Sequence, residues 1–381
     1  MCTAKSIQTF SYHEVSGWSL PEFPPLDSEK TLVLVFADSD FIARPQLLSD
    51  LKQAYPTAKM MGCSTSGEIA GSSLSENSAV VAVVQFEKTS LRLASVAVAS
   101  SGTSYDAAVS LAQDLAAPDL RGVFVLSDGL RVNGSDLVRG LRETLAEHVT
   151  ITGGLAGDKT KFERTWVIDQ GRAASGKVTA LGFYGEHIRM GYGSQGGWDI
   201  FGIERKVTRA KGNVLFEIDH KPALELYKKY LGELVSGLPG TALLFPLGLR
   251  MEDHGQQYLV RTILGVDEDH QSLTFAGDIP EGSWVRLMKA HPERLIDGAA
   301  RSAQLAVSGG FSENALSIAV SCVGRRLVLK QRTEEELEAS LEHMPQVRQI
   351  GFYSYGEISP LNGGRCDLHN QTMTLTLLYE T

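Results

Sequence analysis

The sequence is short of cysteine, of clustered positive charge and of long apolar runs, and each shortage excludes something. There are four cysteines, Cys2, Cys63, Cys322 and Cys366, and no two form a Cys-x-x-Cys pair. Neither a zinc knuckle nor a disulfide scaffold is expected. No Lys/Arg-rich run occurs and the net charge is −9, so neither nucleic acid nor an anionic membrane surface is an expected partner. The longest apolar stretches, such as Val80 to Val84, have strand length and cannot insert into a membrane as a helix. Met1 to Glu14 contains no apolar segment of the secretory type. A reduced, cytoplasmic protein is the expectation. His-Glu-x-x-His, EF-hand and zinc spacings are also missing.

What is present is ordinary globular material. The 381 residues are 43% hydrophobic and 21% charged, enough for a sizeable core and for two or three domains or lobes. Residues 1–29, with Pro21, Pro24 and Pro25, read as an arm. Thereafter one pattern returns. In the first copy an apolar run, Thr31–Ala37, predicts a buried strand. Pro45 then opens an amphipathic helix carrying Leu47, Leu48 and Leu51, and a return strand runs into Gly62-Cys-Ser-Thr-Ser-Gly-Glu68-Ile. The second copy starts at Gly122, has Ser135 as a helix cap, and returns through Val149–Thr152 into Gly153-Gly-Leu-Ala-Gly-Asp158. The third starts at Leu316, has Thr333 and Glu336 in capping-box spacing, and returns into Gly351-Phe-Tyr-Ser-Tyr-Gly-Glu357-Ile. An internal duplication follows, with a mixed α/β fold, repeated strand–helix–strand units and two lobes of mixed β-sheet. The lobes are placed at 30–220 and 221–381. Between the copies, residues 261–288 read as antiparallel strands.

Catalytic motifs do not survive inspection. Gly171 to Lys177 nearly spells a P-loop, but Val178 stands where the magnesium-binding hydroxyl belongs and a strand follows instead of a helix. The string around Cys63 and Ser64 is not a nucleophile elbow, because a strand follows it. The expectation is that the chain is not an enzyme. The strand ends remain. Glycine lets backbone approach a ligand, and α/β strand ends gather into crevices. Cys63, Ser64, Ser66, Gly67, Glu68, Gly153, Gly154, Asp158, Ser354, Glu357 and Asn370 are therefore the candidate ligand-binding residues. The competing reading is that Glu68 and Glu357 cap turns or pair with arginines.

Met61 to Gly71, Thr152 to Asp158, Gly193-Ser-Gln-Gly196, Lys211 to Leu215, Gly351 to Pro360 and His369-Asn-Gln-Thr-Met373 occur in an order that resembles the FIST family of sensory input modules. The resemblance spans residue 30 to the C-terminus and implies an N-terminal and a C-terminal half. It also implies a small-ligand sensory role in signal transduction, with amino acids or their derivatives as the ligand class. Gly193 to Asp199 resembles a stand-alone branch implicated in haem-dependent nitric-oxide sensing, with Gly197 where a cysteine is common in the family. That branch implies haem as cofactor and a histidine kinase or a cyclic-di-GMP enzyme (diguanylate cyclase or phosphodiesterase) as signalling partner. A haem iron needs an axial atom, for which His369 is the first choice and His187 the second. A haem-free sensor of amino-acid-like metabolites is the alternative.

Overall fold

A computed structural model describes residues 7–250, 258–360 and 365–381. The copies seen in the sequence are three structural units of one plan. In each, two parallel strands flank a helix and a third, antiparallel strand completes the centre of a sheet. The first unit has Thr31–Asp38 beside Lys59–Thr65, with Ser78–Gln85 on the other side. The second has Leu120–Ser127 between Thr150–Leu155 and Lys177–Tyr184. The third has Leu316–Cys322 between Arg348–Ser354 and Met373–Glu380. One further antiparallel strand extends each sheet: Ile7–His13, Ser90–Ala97 and Ile188–Gln195. The first of these lies within the segment expected to be an irregular arm.

Thr31–Asp38 is buried at every position, and so is Leu316–Cys322. A strand covered on both faces reads as a continuous apolar run. The inner cover is a shared core in which the sheets of all three units meet, with Phe36, Phe124, Leu126, Val320 and Phe352 among its residues. The rings of Phe36 and Phe352 lie 4.6 Å apart there. The outer cover is helical. Gln46–Ala54 packs on the first sheet. Ser104–Leu115 and Gly134–Thr144 cover the second. Pro292–Ala306 and Thr333–Leu341 cover the third.

The units exchange hairpins in a ring. Beyond its return strand each unit sends a short hairpin onto a neighbour's return strand. Glu68–Ala70 of the first unit pairs with Arg348–Ser354 of the third. Gly356–Pro360 of the third pairs with Thr150–Leu155 of the second. Val167–Asp169 of the second pairs with Lys59–Thr65 of the first. The near P-loop runs from the turn of that last hairpin, where Gly171 has φ +77°, along its second strand Arg172–Ala174 to the start of Lys177–Tyr184, and Lys177 pairs with Asp169 at 2.5 Å.

Between Ile188–Gln195 and Pro292–Ala306 a sheet is inserted, from Trp198–Lys211 to Trp284–Ala290, that among the described residues has eight strands, all antiparallel. Two caps differ from expectation. Asn133, not Ser135, caps Gly134–Thr144, accepting from the Ser135 and Asp136 amides. Thr333 makes no capping box. It is the first residue of its helix, and Glu336 is buried against Arg325.

Candidate functional site

The repeated glycines have a cause that the strands supply. Gly62, Gly153 and Gly351 occupy equivalent places opposite Val35, Val125 and Ala319. A Cβ there would lie 1.9, 1.8 and 1.9 Å from the carbonyl oxygens of those residues. The carbonyl of the adjacent strand, not a ligand, fills the space. Gly154 is closed by side chains instead, Val320 Cγ1 at 2.7 Å and Phe352 Cζ at 3.1 Å from an added Cβ.

The return strands end side by side. Gly157 donates its amide to the Ser64 carbonyl at 3.0 Å, Ser66 to Tyr353 at 2.7 Å, and Tyr355 to Leu155 at 3.1 Å. The candidate residues sit at these seams. Ser64 Oγ accepts from the Trp166 amide at 3.1 Å and Ser66 Oγ from the Lys159 amide at 2.9 Å. Gly67 is backed by the Arg326 guanidinium, which reaches the Ser66 carbonyl. Cys63 is buried in the shared core, and burial pushes its thiol well above the ordinary range. A thiol so placed is a packing group and not a nucleophile.

Glu68 and Glu357 are equivalent and are treated alike by the fold. Glu68 accepts from Thr65 Oγ1 and, at 2.6 Å, from Ser78 Oγ. Glu357 accepts from Ser354 Oγ at 2.5 Å, from Thr372 Oγ1 at 2.9 Å and from the Thr372 amide at 3.1 Å. Each thus ties the end of its return strand to the start of the antiparallel one. Burial raises Glu68 to about 7 and Glu357 to about 8, with the hydrogen bonds opposing it. Asn370 bridges the same region to the inserted sheet, accepting from the Thr262 amide at 3.4 Å.

Asp158 behaves differently. Its carboxylate accepts from the amides of Phe162, Glu163 and Arg164 at 3.0, 2.8 and 2.8 Å, and from the Tyr355 hydroxyl. It thereby shapes a loop in which Lys159 and Phe162 take φ of +67° and +53°. Non-glycine residues in that region are costly and cluster at functional sites. The loop walls an open cleft of about 360 Å³ together with Ser39 and Asp40. Lys161, Glu163 and Arg164 project there, and Lys161 pairs with Asp40 at 3.1 Å. Beneath, Lys159 reaches Asp38 at 2.8 Å. Burial pushes the Asp38 carboxyl up, but Lys159 and the Asp40 amide outweigh it and hold it below the usual range. Of the candidate residues only Asp158 lines this cleft. Asp40, Lys161 and Arg164 were not singled out from the sequence, because their loop carries no motif.

Neither histidine is arranged for haem. His369 is buried, its Nε2 donates to the Ser359 carbonyl at 3.0 Å, and burial depresses its pKa. It lines none of the cavities described here. The exposed His187 bonds the Thr381 carbonyl through Nδ1 at 2.7 Å. The neighbouring cleft mixes Glu87, Lys88 and Glu380 with Ile7, Val84, Phe86 and Leu378, and His187 is not among its lining residues. A haem needs an apolar slot beside its axial atom, and neither His187 nor His369 lines any of the clefts described here. Among the described residues no group of three or more His, Cys, Asp or Glu is placed to hold a metal ion. No helix among them is long and apolar enough to cross a membrane.

The FIST N domain matches residues 31–221 and the FIST C domain residues 223–360. The chain belongs to the FIST family. FIST domains are small-ligand sensory modules in signalling. The chain is also similar to an uncharacterized protein of Methanocaldococcus jannaschii, with 28% identity over 239 residues. That match takes in 55% of this chain and 45% of the relative, so the chain spans about half of that protein's length. The boundary between the two FIST models falls in sequence just before the helix Ala223–Leu231 of the inserted sheet.

Proposed function

We propose that this FIST protein senses a small zwitterionic metabolite of the amino-acid class, taken up in the cleft between Asp40 and the loop 158–164. One observation carries the reading. The cleft presents both signs of charge, Asp40 and Glu163 against Lys161 and Arg164, at the edge where the parallel strands end. Crevices at that edge are the usual ligand sites of α/β sheets. The exposed pair of Lys161 and Asp40 is weak and easily given up. A bound ammonium would take the place of Lys161 on Asp40, and a bound carboxylate would engage Lys161 and Arg164. The signal passes to a separate protein, for which the family resemblance suggests a histidine kinase or a cyclic-di-GMP enzyme.

Titration calorimetry and thermal unfolding with the common amino acids test this. A ligand at a hundred times its Kd should stabilise the fold by about 2.7 kcal/mol. Asp40→Asn and Arg164→Gln should each remove most of that gain. If Glu68→Gln or Glu357→Gln removes it instead, the ligand lies beneath the strand ends. A full gain in all four variants, or no response to any amino acid, rejects the reading.

A further inference from the structure

The largest described cavity lies elsewhere, at the start of the second unit's return strand. It measures about 710 Å³. Its walls come from two units. Leu145 to Ile151 belong to the second unit's helix-to-strand connection and strand start, while Tyr192, Pro360, Arg365 and Cys366 belong to the third. The strand ends discussed above are at the opposite end of the same strands.

Its chemistry is that of an anion site with an apolar floor. Val149, Ile151 and Cys366 are not polar, and the Cys366 thiol is committed to the Ile151 carbonyl at 3.4 Å. The rim carries Arg142, Arg365 and His148. Among the described residues neither arginine has a carboxylate within ion-pair distance. Arg142 makes only a long contact, 3.5 Å, to the Cys366 carbonyl. Two acids share the rim. Glu143 is engaged by the Tyr105 hydroxyl at 2.7 Å, which leaves Glu147 as the one uncommitted carboxylate. In a chain of net charge −9, two arginines facing one cleft without acidic partners are a local excess of free guanidinium donors. Guanidinium forks match the oxygens of a phosphate in paired hydrogen bonds. Tyr192 adds an aromatic ring at the wall.

We propose that this cleft binds a phosphorylated small molecule, with the phosphate held between Arg142 and Arg365 and an apolar or planar body against Tyr192 and Val149. The site is independent of the cleft formed by the loop 158–164. Phenyl phosphate is the probe, followed by calorimetry with the full chain at low ionic strength. Binding should be displaced by inorganic phosphate, and phenol should not bind. Arg142→Gln and Arg365→Gln should each weaken binding at least about tenfold, the loss of one charge-assisted contact. Both side chains are exposed, so the variants should keep the wild-type unfolding midpoint. Arg164→Gln should leave phenyl phosphate binding unchanged, which separates this site from the amino-acid cleft. No binding at millimolar probe, equal binding of phenol, or unchanged affinity in both arginine variants overturns the proposal.

Discussion

The ring of Tyr355 stacks on that of Phe162 with centroids 4.9 Å apart and planes 16° from parallel. The first residue stands in the third unit and the second in the cleft-forming loop of the second. The Tyr355 hydroxyl donates its single proton to Asp158, with the Lys159 carbonyl a second, more distant acceptor at 3.0 Å. One side chain therefore braces both ends of the loop. Tyr355→Phe keeps the stack and removes the hydroxyl, at a cost of about 1–2 kcal/mol. Hydrogen exchange should quicken selectively in residues 159–164, and urea unfolding should show the loss. Unchanged exchange there would mean that Asp158 holds the loop unaided.

The raised carboxyls make stability depend on pH in an unusual direction. Burial lifts Glu68 to about 7 and Glu357 to about 8, so between the ordinary carboxylate range and those values the folded chain binds more protons than the unfolded one. Stability is then full below the ordinary carboxylate range, declines as pH rises from there through about 7 and 8, and levels off above them. At the alkaline end the loss is on the order of 3 kcal/mol for Glu68 and about 5 kcal/mol for Glu357. His369 works the other way on the acid side, since burial keeps its ring neutral and protonating it costs stability. Urea midpoints taken from pH 5 to 9 should fall toward pH 9, and Glu68→Gln with Glu357→Gln should flatten that slope.

Alanine at Gly62, Gly153 or Gly351 should cost several kcal/mol at each position. Each places a methyl group under 2 Å from a backbone carbonyl of a central strand, which cannot yield as a side chain would. Gly309, whose added Cβ would meet nothing within 4 Å, is the control and should change by less than about 0.5 kcal/mol. Denaturant midpoints compare the four variants directly. Comparable loss at Gly309 would show that glycine flexibility, and not strand approach, matters.

Arg325 and Glu336 form a completely buried ion pair at 2.7 Å. The guanidinium also donates to the carbonyls of Gly196 and Leu295 at 2.9 and 2.7 Å, joining the third unit's helices to the strand that leads into the inserted sheet. Removing one partner strands a buried charge, so Arg325→Met or Glu336→Leu should each cost about 3–5 kcal/mol. The double variant should cost less than the sum of the two. Full additivity in that cycle would contradict the coupling.

Much of the repeated plan was legible because strands buried on both faces leave uninterrupted apolar runs, as at Thr31–Asp38 and Leu316–Cys322. The matched Gly-Glu-Ile strings marked equivalent places, but not what fills them. Close approach of the adjacent strand demands glycine as strongly as a ligand would, and the two demands look identical in sequence. The strand Ile7–His13 was hidden for another reason. Only Ile7 and Phe10 in it are buried, so it shows no period of two, and its place comes from pairing with Ser78–Gln85. The cleft was hidden because Asp40 and the loop 158–164 are distant in sequence and meet only when the first and second units close. Asp158 was reachable through its glycines. Lys161 and Arg164 looked like ordinary surface cations.

The ring of exchanged hairpins also sets an order of events during synthesis. Glu68–Ala70 is made early, yet the strand it pairs with spans Arg348–Ser354. Until those residues leave the ribosome, the first unit carries a hairpin with no partner, and the return strand of the second, Thr150–Leu155, still waits for Gly356–Pro360. Pairings so far apart in sequence form slowly, and an unpaired strand edge invites association with other chains. A nascent chain of this kind should depend on chaperone cover until the third unit is made, however stable the finished ring becomes.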